Sequence, residues 1–110
     1  MSKVLIDRKS VHAAPLFQWD RGQVLEIYGL SLAAAPEVHF AHAGAEDAQV
    51  LQSAMDAAGV IRVQIPDALL ESAADIHAWI VEEPAGASNT LCRITIPVTE
   101  RAKPDYEMEV

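Results

Sequence analysis

The chain has 110 residues, 51% of them apolar, which suits one compact domain and is too short for two of ordinary size. Sixteen acidic residues against eight basic ones give a formal net charge of −8, which disfavours binding to nucleic acid or to an anionic membrane surface. The apolar run at residues 4–6 is shorter than the roughly 7–15 residues of a signal peptide or the roughly 20 of a membrane span. We therefore expect neither membrane insertion nor secretion by a signal peptide.

Short runs of period-two alternation recur along the chain, and no long segment keeps the 3.6-residue period of a helix. Turn-forming residues separate the runs, among them a hairpin turn expected at residues 56–59. The pattern predicts an all-β sandwich of seven or eight strands. The predicted strands are 4–7, 16–19, 23–30, 37–42, 49–55, 60–65, 75–81 and 90–98.

Alternation also predicts which side chains face the core, because a one-residue slip would turn every side chain over. In the segment 90–98, Cys92, Ile94 and Ile96 alternate with Arg93 and Thr95, so Cys92 is expected inside as a small hydrophobe. It is the only cysteine, which excludes a disulfide within the chain and fits a reducing cytoplasm.

The segment 75–81 is apolar on both faces. One face consists of Ile76, Ala78 and Ile80. The other consists of His77, Trp79 and Val81. Large rings outside a core are common interface anchors, so the second face is expected to be covered by a loop or by a second subunit. We name His77, Trp79 and Val81 as the candidate interface residues.

Two segments of the chain are not predicted to be strands. Residues 66–72 predict one or two turns of helix with Asp67 as the N-cap. After residue 98 the chain becomes charged and contains a proline. We therefore expect one sandwich domain over 1–98, with residues 1–15 as a flexible arm or an edge strand, and a polar tail or linker over 99–110.

The residues that could carry chemistry do not form a recognisable site. His39 and His42 are three apart in a predicted strand, so they point to opposite faces and cannot share one metal ion. His77 has Asp75 on its own face, but no serine lies in a nucleophile elbow. The acidic pairs at 46–47 and 82–83 are expected to be solvated loops. We predict no catalytic residue, no metal and no cofactor, and hence a protein that is not an enzyme.

Three parts of the sequence resemble a known module: residues 38–42, the segment from Ile65 to Ile80, and residues 94–98 leading to the exit at 101–106. Over about residues 20 to 106 the chain is similar to the N-terminal module of phage and prophage tail or baseplate proteins of Gram-positive bacteria, of the baseplate upper protein type. The most specific part of this resemblance is the isoleucine-rich strand that ends in Pro97, together with the sequence Lys-Pro-Asp-Tyr at residues 103–106 that follows it.

The resemblance implies an Ig-like antiparallel β-sandwich that anchors a longer structural or receptor-binding protein to the tail. Its expected partners are other tail or baseplate proteins, or further copies of itself, and its expected location is the virion, or the bacterial cytoplasm before assembly. Similar proteins continue past the tyrosine, so this chain is either a small stand-alone protein or part of a longer one. The alternative function is a host-surface or carbohydrate-binding sandwich, with Trp19 or Trp79 exposed beside a polar groove.

Overall fold

The computed structural model describes residues 2–83 and 86–105, which form eleven short strands and one 3-10 turn, Asp67–Glu71. In chain order the strands are β1 Ser2–Leu5, β2 Ser10–His12, β3 Leu16–Phe17, β4 Val24–Tyr28, β5 Glu37–His42, β6 Gln49–Gln52, β7 Ala54–Met55, β8 Ile61–Gln64, β9 Ile76–Glu82, β10 Asn89–Ile96 and β11 Val98–Thr99. The predicted all-β sandwich with one short helical turn is confirmed.

Two sheets form the layers of the sandwich. The smaller sheet has the strand order β1-β4-β8-β7, and the larger one has the order β2-β10-β9-β5-β6. A separate pair, β11 and β3, lies beside them. Strand β9 is therefore the middle strand of the larger sheet, with β10 on one side and β5 on the other.

The sheets differ from the predicted antiparallel arrangement at their N-terminal edges. The inner pairs β4–β8, β9–β10 and β5–β9 are antiparallel, whereas β1–β4, β2–β10 and β11–β3 are parallel. The N-terminal segment crosses from the edge of one sheet to the edge of the other, so both edges are paired by the same stretch of chain. A parallel partner from a distant segment cannot be read from period-two alternation.

The core lies between the two sheets and is aliphatic apart from Phe40 and Cys92. The predicted register of the last long strand is confirmed, since Cys92, Ile94 and Ile96 are buried. The alternate side chains of β8 are buried in the same way. The fully buried large side chains are Leu25, Ile27, Val38, Phe40, Ile61, Ile65, Leu70, Ile76, Ile80, Ile94 and Ile96.

Three local predictions are corrected. The predicted strand 49–55 is two strands in different sheets, because the buried Ser53 interrupts it by donating its hydroxyl to the Pro36 carbonyl at 2.6 Å. Strand β2 has no counterpart among the predicted strand spans, since three residues are too few to show alternation, and it lies in the segment 1–15 that was expected as a flexible arm or an edge strand. Asp67 is not the N-cap: Pro66 holds that position, and the Asp67 carboxylate instead accepts from the Gly22 amide at 3.0 Å.

The hairpin turn predicted at 56–59 is confirmed. The Asp56 carboxylate accepts from the amides of Ala58 and Val60, and β7 pairs with β8 across the turn. Of the predicted tail, residue 99 is the last residue of β11, and residues 106–110 lie outside the described residues. Within the described ranges the one helical segment has five residues, and no helix there is long and apolar enough to cross a membrane.

Candidate interaction surface

The outer face of the larger sheet carries the three candidate interface residues. Burial alternates along β9 as far as Ile80, with Ile76, Ala78 and Ile80 in the core and His77 and Trp79 partly exposed on the other side. Val81 follows the outward register but is buried. Pairing places Trp79 between Arg93 of β10 and His39 of β5. We call this surface the Trp79 face. By strand register its members are Ser10, His12, Glu37, His39, Ala41, Val50, Gln52, His77, Trp79, Val81, Arg93 and Thr95, of which Ala41, Val81 and Thr95 are buried.

Two rings lie at the centre of the Trp79 face. The His77 ring meets the Trp79 ring edge-on, with centroids 5.4 Å apart and an interplanar angle of 83°. Burial lowers the pKa of His77, the Arg93 and His12 charges lower it further, and Asp75 opposes the shift. The neutral imidazole is therefore favoured, and it behaves as part of an aromatic surface.

The Trp79 face has little net charge although the chain has a formal charge of −8. Apart from its histidines, the Trp79 face has one basic side chain, Arg93, and one acidic side chain, Glu37. The Glu37 carboxylate accepts from His39 Nε2 at 3.1 Å, and Arg93 donates from Nη2 to the Ser10 hydroxyl at 3.2 Å. Sequence reasoning did not connect these residues with Trp79, because their proximity depends on a strand order that one sequence does not give.

The outer face of the smaller sheet is different because its charges are paired within the chain. Arg62 donates to Glu26 at 2.7 Å and to Asp56 at 3.0 Å, and the Tyr28 hydroxyl also donates to Glu26. The Arg62 guanidinium lowers the pKa of Glu26, and the Val60 amide, followed by Arg62, lowers that of Asp56. This face is covered by its own ion pairs, whereas the Trp79 face presents rings.

The histidines do not form a cluster. His39 faces outward, while His42 Nε2 donates to the Leu69 carbonyl at 2.8 Å at the end of the sandwich. Their predicted placement on opposite sides of β5 is confirmed. In residues 2–83 and 86–105, no three His, Cys, Asp or Glu side chains are grouped as a metal site would require. Asp75 acts on His77 only through its charge, with no hydrogen bond between them in the part of the chain that is described.

Two grooves accompany these surfaces. One of about 380 Å³ borders the Trp79 face and is lined by residues 33–36 together with Glu37, Gln52, Val81, Glu82 and Glu83. The other, of about 190 Å³, lies beside Trp19 and is lined mainly by charged side chains, including Asp20, Asp67 and Glu71. The Lys103 ammonium lies 5.3 Å from the centroid of the Trp19 ring and covers one of its faces.

Comparison with known proteins gives structural similarities only. No protein-family model matches the sequence. No curated protein matches it either. Among solved structures, the fold is similar to the N-terminal domain of phage TP901-1 ORF48, with a TM-score of 0.49 and 11% sequence identity. The aligned region covers 92% of this chain and 96% of that one.

Proposed function

We propose that this protein is a non-enzymatic structural module of a phage or prophage tail or baseplate, and that it acts by protein–protein contact through the Trp79 face. The observation that carries the proposal is the position of Trp79: a half-buried indole at the centre of a five-stranded sheet, on a surface with almost no net charge. Aromatic rings surrounded by a polar rim are typical anchors of protein interfaces. The resemblance in sequence, above all the segment 94–106, supplies the class of partner.

The surface chemistry suits contact better than catalysis. The His77 ring packs edge-on against Trp79, and among the described residues it makes no hydrogen bond to a hydroxyl, although Thr95 is its partner on β10. Burial of the Trp79 indole would stabilise a complex mainly through its apolar area. The expected location of the protein is the virion, with the bacterial cytoplasm as the compartment before assembly.

The proposal is tested by mixing the protein with the purified tail and baseplate proteins encoded beside its gene and separating the mixture by size exclusion. We expect co-elution with one of them, loss of co-elution for Trp79→Ala, and no change for Phe17→Ala. Phe17 is a matched control because its side chain is 52% exposed but lies outside the Trp79 face. Failure of the wild-type chain to bind any of these proteins would contradict the proposal.

A carbohydrate-binding function is the second candidate, and the Trp19 groove is the observation that favours it. An aromatic ring beside carboxylates is a suitable surface for a sugar, but Lys103 already occupies one face of this ring. Titration with bacterial wall polysaccharide would detect such binding by calorimetry. Binding that is lost in Trp19→Ala and kept in Trp79→Ala would favour this function over the structural one.

A further inference from the structure

We propose that the Trp79 face binds the same face of a second copy of this chain, about a two-fold axis parallel to β9. The inference rests on the proposed function, since it names one partner of the same surface. Its basis is the distribution of charge across the face. Arg93 is on β10 to one side of Trp79, and Glu37 is on β5 to the other side, where it pairs with Val81.

A half-turn about an axis parallel to β9 exchanges the two sides of the face. Strand β5 of one copy then lies over β10 of the other, so that Arg93 of each copy approaches Glu37 of the other. The Trp79 rings meet near the axis. A half-turn about an axis across the strands would instead lay β10 over β10 and bring the two Arg93 side chains together. The charge pattern therefore selects the first orientation, as expected for a self-complementary isologous interface.

The hydrogen-bond donors of Arg93 support this arrangement. Among the described residues its guanidinium makes one hydrogen bond, from Nη2 to the Ser10 hydroxyl at an exposed position, so donors at the end of the side chain remain for a carboxylate. A guanidinium has five N–H donors and binds carboxylates in a planar fork. Glu37 accepts from His39 through one oxygen, Oε1. Its carboxylate therefore keeps acceptor positions for the Arg93 of a second copy.

The area of the Trp79 face indicates how stable the proposed dimer would be. Five strands about 4.8 Å apart and roughly six residues long give a footprint of about 24 by 20 Å. Stable interfaces bury about 800 Å² of accessible surface on each partner. The footprint is about 480 Å², which is smaller than the surface that each partner of a stable interface buries. We therefore expect a dimer that forms and dissociates with concentration rather than a permanent one.

Charge reversal tests the proposal by sedimentation equilibrium. We expect the wild-type chain to dimerise, and Arg93→Glu and Glu37→Arg each to raise the dissociation constant about tenfold or more. The double variant, Arg93→Glu with Glu37→Arg, restores the opposite charges and should return the constant close to the wild-type value. Circular dichroism confirms that each variant is folded. A wild-type monomer at every concentration, or a double variant no tighter than the singles, would overturn the proposal.

Cross-linking provides a second measurement that leaves Arg93 and Glu37 in place. In the proposed orientation Ser10 of one copy faces Val50 of the other, because the two residues lie on opposite edges of the sheet. Facing sheets are about 10 Å apart, which is too far for a disulfide, so a bis-maleimide reagent is used with the Ser10→Cys, Val50→Cys variant. We expect a covalent dimer from this variant and much less from either single variant. Equal yields from all three would overturn the orientation.

The two proposals fail in different ways. A chain that binds a tail protein through Trp79 but does not dimerise overturns the second-copy proposal and leaves the structural function standing. A chain that dimerises with restored charge pairing but binds no tail protein supports the second-copy proposal and contradicts the structural function.

Discussion

Gly29 shows how one residue fixes the N-terminal strand to the smaller sheet. Its φ is 93°, and an added Cβ would lie 2.7 Å from the Ile6 carbonyl oxygen. The Ile6 amide donates to the Tyr28 carbonyl at 2.8 Å, which extends the ladder between β1 and β4. A side chain at residue 29 would therefore push this part of the backbone away.

Gly29→Ala should destabilise the protein by about 2–3 kcal/mol, because backbone strain adds to the clash with Ile6. The free energy of unfolding in urea measures the effect. Gly44→Ala is the matched control: its φ is 83°, and nothing lies within 4 Å of the added Cβ, so it should cost only about 1 kcal/mol. Equal losses for the two variants would contradict the role given to the Ile6 contact.

Cys92 should be unreactive in the folded protein. Its thiol is buried, and burial raises its pKa to about 11, so almost none is thiolate at pH 8. We expect a thiol reagent at pH 8 to modify Cys92 far more slowly than it modifies a cysteine in an unfolded peptide, with the rate rising in denaturant. Modification at the peptide rate without denaturant would show that β10 is not held in the core.

His77 should make stability depend on pH. Its folded-state pKa lies below the ordinary value of 6.5, so the unfolded chain binds the proton more readily. The contribution of the neutral ring is complete above about pH 6.5 and is lost as the pH falls through that value towards the lower folded-state pKa. Between pH 8 and 5, thermal unfolding of His77→Gln should show a smaller loss of stability than the wild type. Parallel curves for the two proteins would contradict this.

At the scale of elements, the turn after β3 contacts the C-terminal segment, residues 100–105, where it leaves the sandwich. Trp19 has a backbone φ of 72°, a value that residues other than glycine rarely adopt. Its amide donates to the Leu70 carbonyl at 2.7 Å. Gln18 accepts from the Arg101 amide at 3.4 Å, and Lys103 covers the Trp19 ring. The turn therefore sets the direction in which residues 100–105 run.

Trp19→Ala should loosen this segment. Loss of a cation–π contact of about 0.5–1 kcal/mol predicts trypsin cleavage about two- to fivefold faster after Arg101, whereas Pro104 protects the bond after Lys103. The rate at Arg8 in the same digest is the internal control, since Arg8 lies far from this turn along the chain. Equally faster cleavage after Arg101 and after Arg8 would indicate general destabilisation instead of a released C-terminal segment.

The elements also show how far alternation along a sequence can predict this fold. The span of β5 was predicted as it occurs, and β8 and β9 to within a residue at each end, because their inward side chains other than His42 are apolar. Alternation says nothing about which sheet a strand joins, so the passage of 49–55 from one sheet to the other at Ser53 could not be predicted. Trp79 was recognised from its own strand, but Arg93, Glu37 and His39 join it only through the strand order.

At the scale of the whole molecule, the two outer surfaces differ in how their charged side chains are arranged. A chain with a formal charge of −8 repels its own copies in general, but the Trp79 face is close to neutral and presents rings. The opposite face pairs Arg62 with Glu26 and Asp56 within the chain. Association is therefore expected through the larger sheet rather than the smaller one.

The most direct test of contact through the Trp79 face is the mass in solution by light scattering, measured over a range of concentrations and with the neighbouring tail proteins added. The account predicts that the wild-type mass rises above 11.9 kDa, that Trp79→Ala remains at 11.9 kDa, and that Phe17→Ala behaves as the wild type. A wild-type chain that stays at 11.9 kDa under every condition, or a mass unaffected by Trp79→Ala, would contradict it.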